Sequence, residues 1–331
     1  MSTRIVMVGA GGVAQRHVAV LGGLPDVEVV GVVDPVEAAA RALAESCGAD
    51  VHASTAAALS ACRADAVYVC VPPFAHGEPE REVLARGLPL FVEKPLSARW
   101  DVAEDLGRLV AEAGVVTGTG YHWRCLDTVE AARRQLEASP PLLASGYWLD
   151  KRPPVAWWPH SGRSGGQVVE QLTHVLDLAR VLLGEATEVY AAGAVRAAPP
   201  TVARDDPPRG DVDDATAVTV RFASGAVATL AATSLLRAKH RAALHTFSDG
   251  LVLELSETEL VVDDGEERRV VEPAEDPRVV VDREFVAAVR GERSATRAPY
   301  EEALRTHRLA CAIATSARRA EPVRLDEAVG R

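Results

Sequence analysis

Three groups of residues in this 331-residue chain have types and spacings suited to chemistry. The first is the run Gly9-Ala10-Gly11-Gly12-Val13-Ala14. It fits G-x-G-x-x-A: Gly9 makes a tight turn, Gly11 lets backbone approach a pyrophosphate, and Ala14 allows a helix to pack closely on a strand. Gly12 and Val13 open that helix, whose free N–H groups and dipole favour an anion. Asp34 ends the next apolar run, about 20 residues further on, where a carboxylate bonds a ribose 2′-hydroxyl and repels a 2′-phosphate. Pro35, Val36 and Glu37 supply no basic group to receive that phosphate. The pattern favours NAD over NADP. The alternative role for Asp34 is a helix N-cap, and one residue can serve both.

The second group is Glu93-Lys94-Pro95, directly after the apolar run Leu88–Val92. Lys94 is one of three lysines, with Lys151 and Lys239, among 36 basic residues. Against so many arginines a lysine is informative, because a guanidinium does not give up its proton. The third group is Glu170 and His174, spaced i,i+4 and so on one face of a helix. An imidazole starts near neutral pKa, which suits a general base. Asp177 lies on roughly the same face and can serve His174, a substrate or a structural partner. Standing alone, His174 would read as a satisfied helix histidine.

These residues need elements to position them. Arg4–Gly9, Val27–Asp34, Ala66–Val71, Leu88–Val92 and Val115–Tyr121 are apolar strand patterns. Helical patterns alternate with them at 12–21, 36–47, 76–86 and from Ser97 to Gly114. Continuous apolar strands alternating with helices imply a parallel sheet covered on both faces. From residue 127 onward the period changes. Strands are expected at 144–149, 189–195, 215–222, 227–233, 242–247, 251–255 and 259–262, with hairpin signals at Ser224-Gly225 and Asp249-Gly250. Helices are expected at 127–136, 166–183, 281–289 and 300–318, and 197–211 is a Pro- and charge-rich loop. The fold class is therefore α/β, a doubly wound parallel sheet followed by an α/β domain with a large, mostly antiparallel open sheet.

Hydrophobic residues at 48% and charged residues at 25% place the chain in the ordinary globular range. A net charge of −11 argues against nucleic acid or an anionic membrane as partner. Five scattered cysteines without CxxC spacing argue against a disulfide framework or a cysteine metal site, and no metal is expected. With no apolar signal-peptide core at the start of the sequence, a cytoplasmic protein is expected.

Together with Val71–His76 (VPPFAH) and Gly165–His174 (GGQVVEQLTH), the glycine run and Glu93-Lys94-Pro95 resemble the Gfo/Idh/MocA oxidoreductase family across nearly the whole chain. The resemblance implies a Rossmann domain over residues 1–121 and a substrate-binding and oligomerisation domain over 122–331, forming a homodimer or homotetramer through its sheet. It implies hydride transfer between NAD and a hydroxyl or carbonyl carbon of a sugar, nucleotide-linked sugar or polyol. Lys94 and His174 take the catalytic roles, and the carboxylate that is usually Asp in the family is Glu170 here. A cis Lys94–Pro95 bond is also implied. Lys94 would bond the substrate oxygen and stabilise developing alkoxide charge; it would be the proton acceptor if burial depressed its pKa.

Further candidates follow from position. Pro72, His76 and Glu93 belong to the cofactor edge, with His76 read chiefly as a loop stabiliser and His17 as packing. Tyr121 and Arg124 stand at the handover between domains, where Arg124 binds substrate oxygens or closes an interdomain ion pair. The segment 150–164 holds Trp157, Trp158 and Arg163 and reads as a substrate-covering loop, which favours an anionic or nucleotide-linked substrate; packing by the tryptophans is its alternative. Two rival functions are a noncatalytic dinucleotide-sensing regulator and a glycoside-cleaving enzyme that recycles NAD.

Overall fold

Strands that are apolar along their whole length have to be covered on both faces, and the N-terminal strands are. The computed structural model describes residues 2–196 and 210–326; most of the Pro-rich loop expected at 197–211 lies outside them. In chain order the first part contains β1 (Thr3–Val8), α1 (Gly12–Leu21), β2 (Val27–Val33), α2 (Glu37–Cys47), β3 (Asp50–His52), α3 (Thr55–Ala61), β4 (Ala66–Val69), α4 (Glu78–Leu84), β5 (Leu90–Val92), α5 (Trp100–Ala113) and β6 (Thr117–Thr119). The six strands form one sheet in the order β3-β2-β1-β4-β5-β6, every pair parallel. The strand order reverses between β1 and β4, which is where open α/β sheets take their ligands. β4 and β5 are buried at every position.

The second part contains α6 (Asp127–Ala138), β7 (Leu143–Lys151), α7 (Ser161–Ser164), α8 (Thr173–Leu183), β8 (Ala186–Ala194), β9 (Ala215–Phe222), β10 (Val227–Leu236), β11 (Arg241–Ser248), β12 (Leu251–Ser256), β13 (Leu260–Asp263) and β14 (Arg268–Val271). α9 (Pro277–Val289), α10 (Tyr300–Arg319) and β15 (Val323–Arg324) complete the described chain. Nine strands form a second sheet in the order β14-β13-β12-β11-β7-β10-β9-β8-β15. All its contacts are antiparallel except β7 with β10. β9 alternates buried and exposed residues from Thr216 to Phe222, as a sheet with one covered face requires. Gly225 and Gly250 hold the two expected hairpins with φ of +91° and +68°.

Several local expectations change. β3 joins the first sheet at its edge, although its sequence carries no strong strand signal, and α3 follows it. The helix expected at 76–86 is preceded by a 3₁₀ turn at Pro73–Ala75, because two prolines fix the backbone there. The long helix expected at 166–183 is divided: a π-helical turn at Val168–Leu172 runs into α8. The compact units are interleaved rather than cut once after residue 121. One comprises 1–97, 101–125 and 275–304; the other comprises 98–100, 126–274 and 305–331, counting only described residues within each. α9 belongs to the first because Phe285 packs edge-on against Tyr68 and Phe91, 5.3 Å and 5.4 Å between ring centres.

Candidate active site

In the first unit the loops at the carboxyl ends of β1, β4 and β5 carry the glycine run, Pro72–His76 and Glu93–Lys94, on neighbouring strands. Gly9 has φ +100°, and a Cβ there would lie 2.2 Å from the carbonyl oxygen of Cys70, so no other residue fits. Gly11 and Gly12 have open space where a Cβ would stand, and Val13 is exposed beside them. Ala14 is fully buried against the sheet. No side chain caps α1 at Gly11. The bare, open N-terminus matches what a pyrophosphate needs. Asp34 braces this loop: one oxygen accepts from Ala10 N at 2.7 Å, the other from Val36 N at 2.8 Å. It therefore ties the turn after β2 to the loop after β1, while a carboxylate keeps further lone pairs for a ribose hydroxyl.

Pro72 leads into the 3₁₀ turn, and His76 follows it. His76 Nδ1 lies 2.5 Å from Glu80 Oε1, and Glu80 Oε2 accepts from Gly77 N at 2.7 Å. The buried Nε2 of His76 has no hydrogen-bond partner. Lys94 is half-buried, and its peptide bond to Pro95 is cis. Its backbone N–H donates to Glu93 Oε2 at 2.9 Å.

Glu93 is buried, and its other oxygen lies 3.0 Å from His17 Nε2. His17 Nδ1 faces both oxygens of Asp282 on α9, at 2.8 Å and 2.9 Å. Burial alone would lower the His17 pKa, but Asp282 and then Glu93 raise it to about 9. Burial would raise that of Glu93, yet the hydrogen bond and charge of His17 bring it down to about 2. Asp282 is raised, by burial first. His17, read from sequence as packing, is thus the cation of a buried triad. Among the described residues, no group of three histidine, cysteine or carboxylate side chains is arranged so that it could hold a metal ion.

Tyr121 is fully buried. Arg124 pairs with Glu302 at 3.2 Å and reaches the Arg297 carbonyl at 3.4 Å, both within this same unit. The ion pair weighed for it is present, but inside one unit rather than between two.

The second unit positions the other candidates. His174 is buried on α8 and stacks on Trp148 of β7, ring centres 5.6 Å apart at 24°. The Lys239 ammonium lies 4.7 Å from the centre of the same indole. Sequence reading missed Trp148; Lys239 was visible only as a scarce lysine. Glu170 falls on the π-helical turn and accepts from Trp158 Nε1 at 3.1 Å. That turn breaks the regular i,i+4 spacing assumed for Glu170 and His174, and such turns occur often at functional sites. Trp158 is fully buried, with the Arg152 guanidinium 5.9 Å from its ring centre, while Trp157 is half-buried and Arg163 exposed. Asp177 is buried and accepts from Thr306 Oγ1 at 2.6 Å, and that hydroxyl also accepts from Arg180.

Comparison with known proteins agrees with this architecture. Residues 3–121 match the oxidoreductase family with an NAD-binding Rossmann fold, and residues 139–251 match the GFO/IDH/MocA C-terminal domain. The chain belongs to the Gfo/Idh/MocA oxidoreductase family. The NAD(+)-dependent scyllo-inositol 2-dehydrogenase of Bacillus subtilis is 28% identical over 199 residues, 58% of this chain and 57% of that enzyme. Inositol 2-dehydrogenase of Rhizobium meliloti is 28% identical over 56% of each chain. The chain thus matches little more than half the length of these two relatives. A levoglucosan dehydrogenase bound to NADH and levoglucosan superposes with a TM-score of 0.87 at 18% identity, covering 99% of this chain and 100% of that one.

Proposed function

We propose that this protein is an NAD-dependent dehydrogenase acting on a hydroxyl carbon of a polyol or sugar-like substrate. The observation that carries the reading is the single sheet edge that holds an open glycine cradle after β1, Asp34 after β2 and a half-buried lysine after β5. The residues present fit NAD: Gly9, Gly11, Gly12, Val13 and Ala14 form the pyrophosphate cradle, and Asp34 stands where the adenosine ribose hydroxyls are held. Pro72, His76 and Glu93 line the same edge. When bound, NAD supplies the acceptor for a hydride from the carbinol carbon. Lys94 donates a hydrogen bond to the reacting oxygen and stabilises its developing negative charge. His174 takes the hydroxyl proton, held in orientation by Trp148.

The inositol and levoglucosan dehydrogenases among the relatives support a polyol or anhydrosugar substrate. Tyr121, Arg124, Trp157, Trp158, Arg163, Glu170 and Asp177 are proposed to shape its site. Trp158, Glu170 and Asp177 do so through the bonds they already make, and exposed Arg163 is proposed to meet an anionic substituent. Assembly as a dimer or tetramer through the nine-stranded sheet is part of the same reading. So is a cytoplasmic setting, which suits five free cysteines; no helix among the described residues is long and apolar enough to cross a membrane. The test is a screen of inositols, anhydrosugars, free sugars and nucleotide sugars for NADH formation. NADH produced one-for-one with a ketone supports the proposal; cofactor binding without turnover of any of these rejects it in favour of a sensing role.

A further inference from the structure

The buried cluster beside Lys94 is more polar than packing requires. His17 comes from α1, Glu93 from the end of β5 and Asp282 from α9. Around them stand aromatic rings: Tyr68 and Phe91 lie 5.3 Å and 5.1 Å from the imidazole, ring centre to ring centre, and Phe285 packs on both. Two carboxylates and an imidazole withdrawn from water into such a cage cost desolvation energy that apolar side chains would avoid. Space is also tight. A Cβ on Gly120 would lie 2.3 Å from Glu93 Oε2, so the chain has left out a side chain there to admit the carboxylate.

The hydrogen bonds run in one line. Both oxygens of Asp282 face His17 Nδ1, His17 Nε2 meets Glu93 Oε1, and Glu93 Oε2 receives the Lys94 backbone N–H. Every link is at 3.0 Å or less. The carboxylate is therefore pinned at both oxygens, and the second pin is the backbone of the residue proposed to meet the substrate. α1 also carries the glycine cradle at its other end, so one helix fixes both the cradle and the grip on Lys94.

We propose that His17, anchored by Asp282, is a positioning residue for Lys94: it holds the Glu93 carboxylate that fixes the Lys94 backbone at the sheet edge. It touches neither substrate nor cofactor. The proposal rests on the dehydrogenase reading for its consequence in turnover, but the positioning itself can be measured without a substrate. Only three lysines exist, so brief acetic anhydride labelling followed by peptide mass mapping reports Lys94 against Lys151 and Lys239 in the same sample.

The experiment compares the parent with H17Q and D282N, each first checked for folding by circular dichroism and for NADH binding by fluorescence. Lys94 labelling is expected to change several-fold relative to the other two lysines. On any polyol that the parent oxidises, kcat should fall roughly 10–100-fold, the cost of a small misplacement of a reacting group, with KM little altered. Should H17Q fail to fold, D282N carries the comparison, since asparagine keeps one acceptor for His17 and removes the anchoring charge. A folded variant with parental Lys94 labelling and parental kcat overturns the proposal. Altered labelling in a protein that oxidises none of the screened polyols, anhydrosugars, sugars and nucleotide sugars leaves the positioning intact and rejects the dehydrogenase reading instead.

Discussion

Two buried histidines, one from each compact unit, have opposite surroundings. His17 sits between two carboxylates, and its raised pKa keeps it a fixed cation across neutral pH. His174 lies against an indole face, on a helix that begins in a π-turn. A general base has to gain and lose its proton in each cycle, which a histidine locked between carboxylates does poorly. The burial of an imidazole therefore says little about its work until its partners are known. The same holds for two of the lysines. Lys94 is backed by a carboxylate that holds its main chain, and Lys239 presents its ammonium to Trp148.

The contrast breaks most directly at the proposed base. H174A should lower kcat by roughly 10²–10⁴-fold and remove a pH dependence near neutrality, with NADH affinity retained because the cradle and Asp34 are untouched. K94M should be as severe and K94R only slightly less so, since a planar guanidinium does not reproduce the compact ammonium. Steady-state kinetics on the active polyol checks all three. A folded H174A enzyme with parental kcat and pH profile would move the proton to Lys94 or Tyr121.

His17 makes a prediction about stability. Its pKa is raised from 6.5 to about 9, so its contribution is complete below pH about 6.5 and is lost as pH rises through about 9. Glu93 is lowered from 4.5 to about 2, so its contribution is complete above pH about 4.5 and is lost as pH falls through about 2. The melting temperature should therefore be highest between these limits and fall on the alkaline side. H17Q should start lower and show a flatter alkaline limb. Parallel alkaline limbs in calorimetry for H17Q and parent would place that titration elsewhere.

Two smaller effects sharpen the picture. NADH should bind more tightly than NADPH, and D34A should narrow the gap by about tenfold, the worth of one charge-assisted hydrogen bond; the phosphate loop should also loosen, because Ala10 N loses its acceptor. W148F keeps an aromatic face for His174 and should change kcat by no more than about tenfold. W148A should cost more than W148F, and equal values would show that stacking does not orient the imidazole.

Much of this was legible in the sequence because period and spacing carry it. Continuous apolar strands gave the parallel sheet, alternation in 215–222 gave the antiparallel one, and Gly9 to Ala14 followed by Asp34 marked the sheet edge proposed for the cofactor. The triad was not legible. His17, Glu93 and Asp282 lie far apart in sequence and meet only when α9 packs with the first sheet, and nothing local to Asp282 distinguishes it from a surface acid. The π-turn was equally hidden, since Val168–Leu172 reads as ordinary helix. Trp148 was lost among alternating strand residues, where an aromatic is expected to be packing.

Net hydride transfer from a carbinol carbon to NAD can be followed with deuterium. A polyol that turns over, deuterated at its oxidisable carbon, is incubated with the protein and NAD, and the cofactor is analysed by mass spectrometry. One deuterium in the NADH is expected for each ketone formed, with strongly slowed transfer in H174A and K94M. Deuterium that stays in the sugar product, with NAD regenerated and no NADH accumulating, would contradict it.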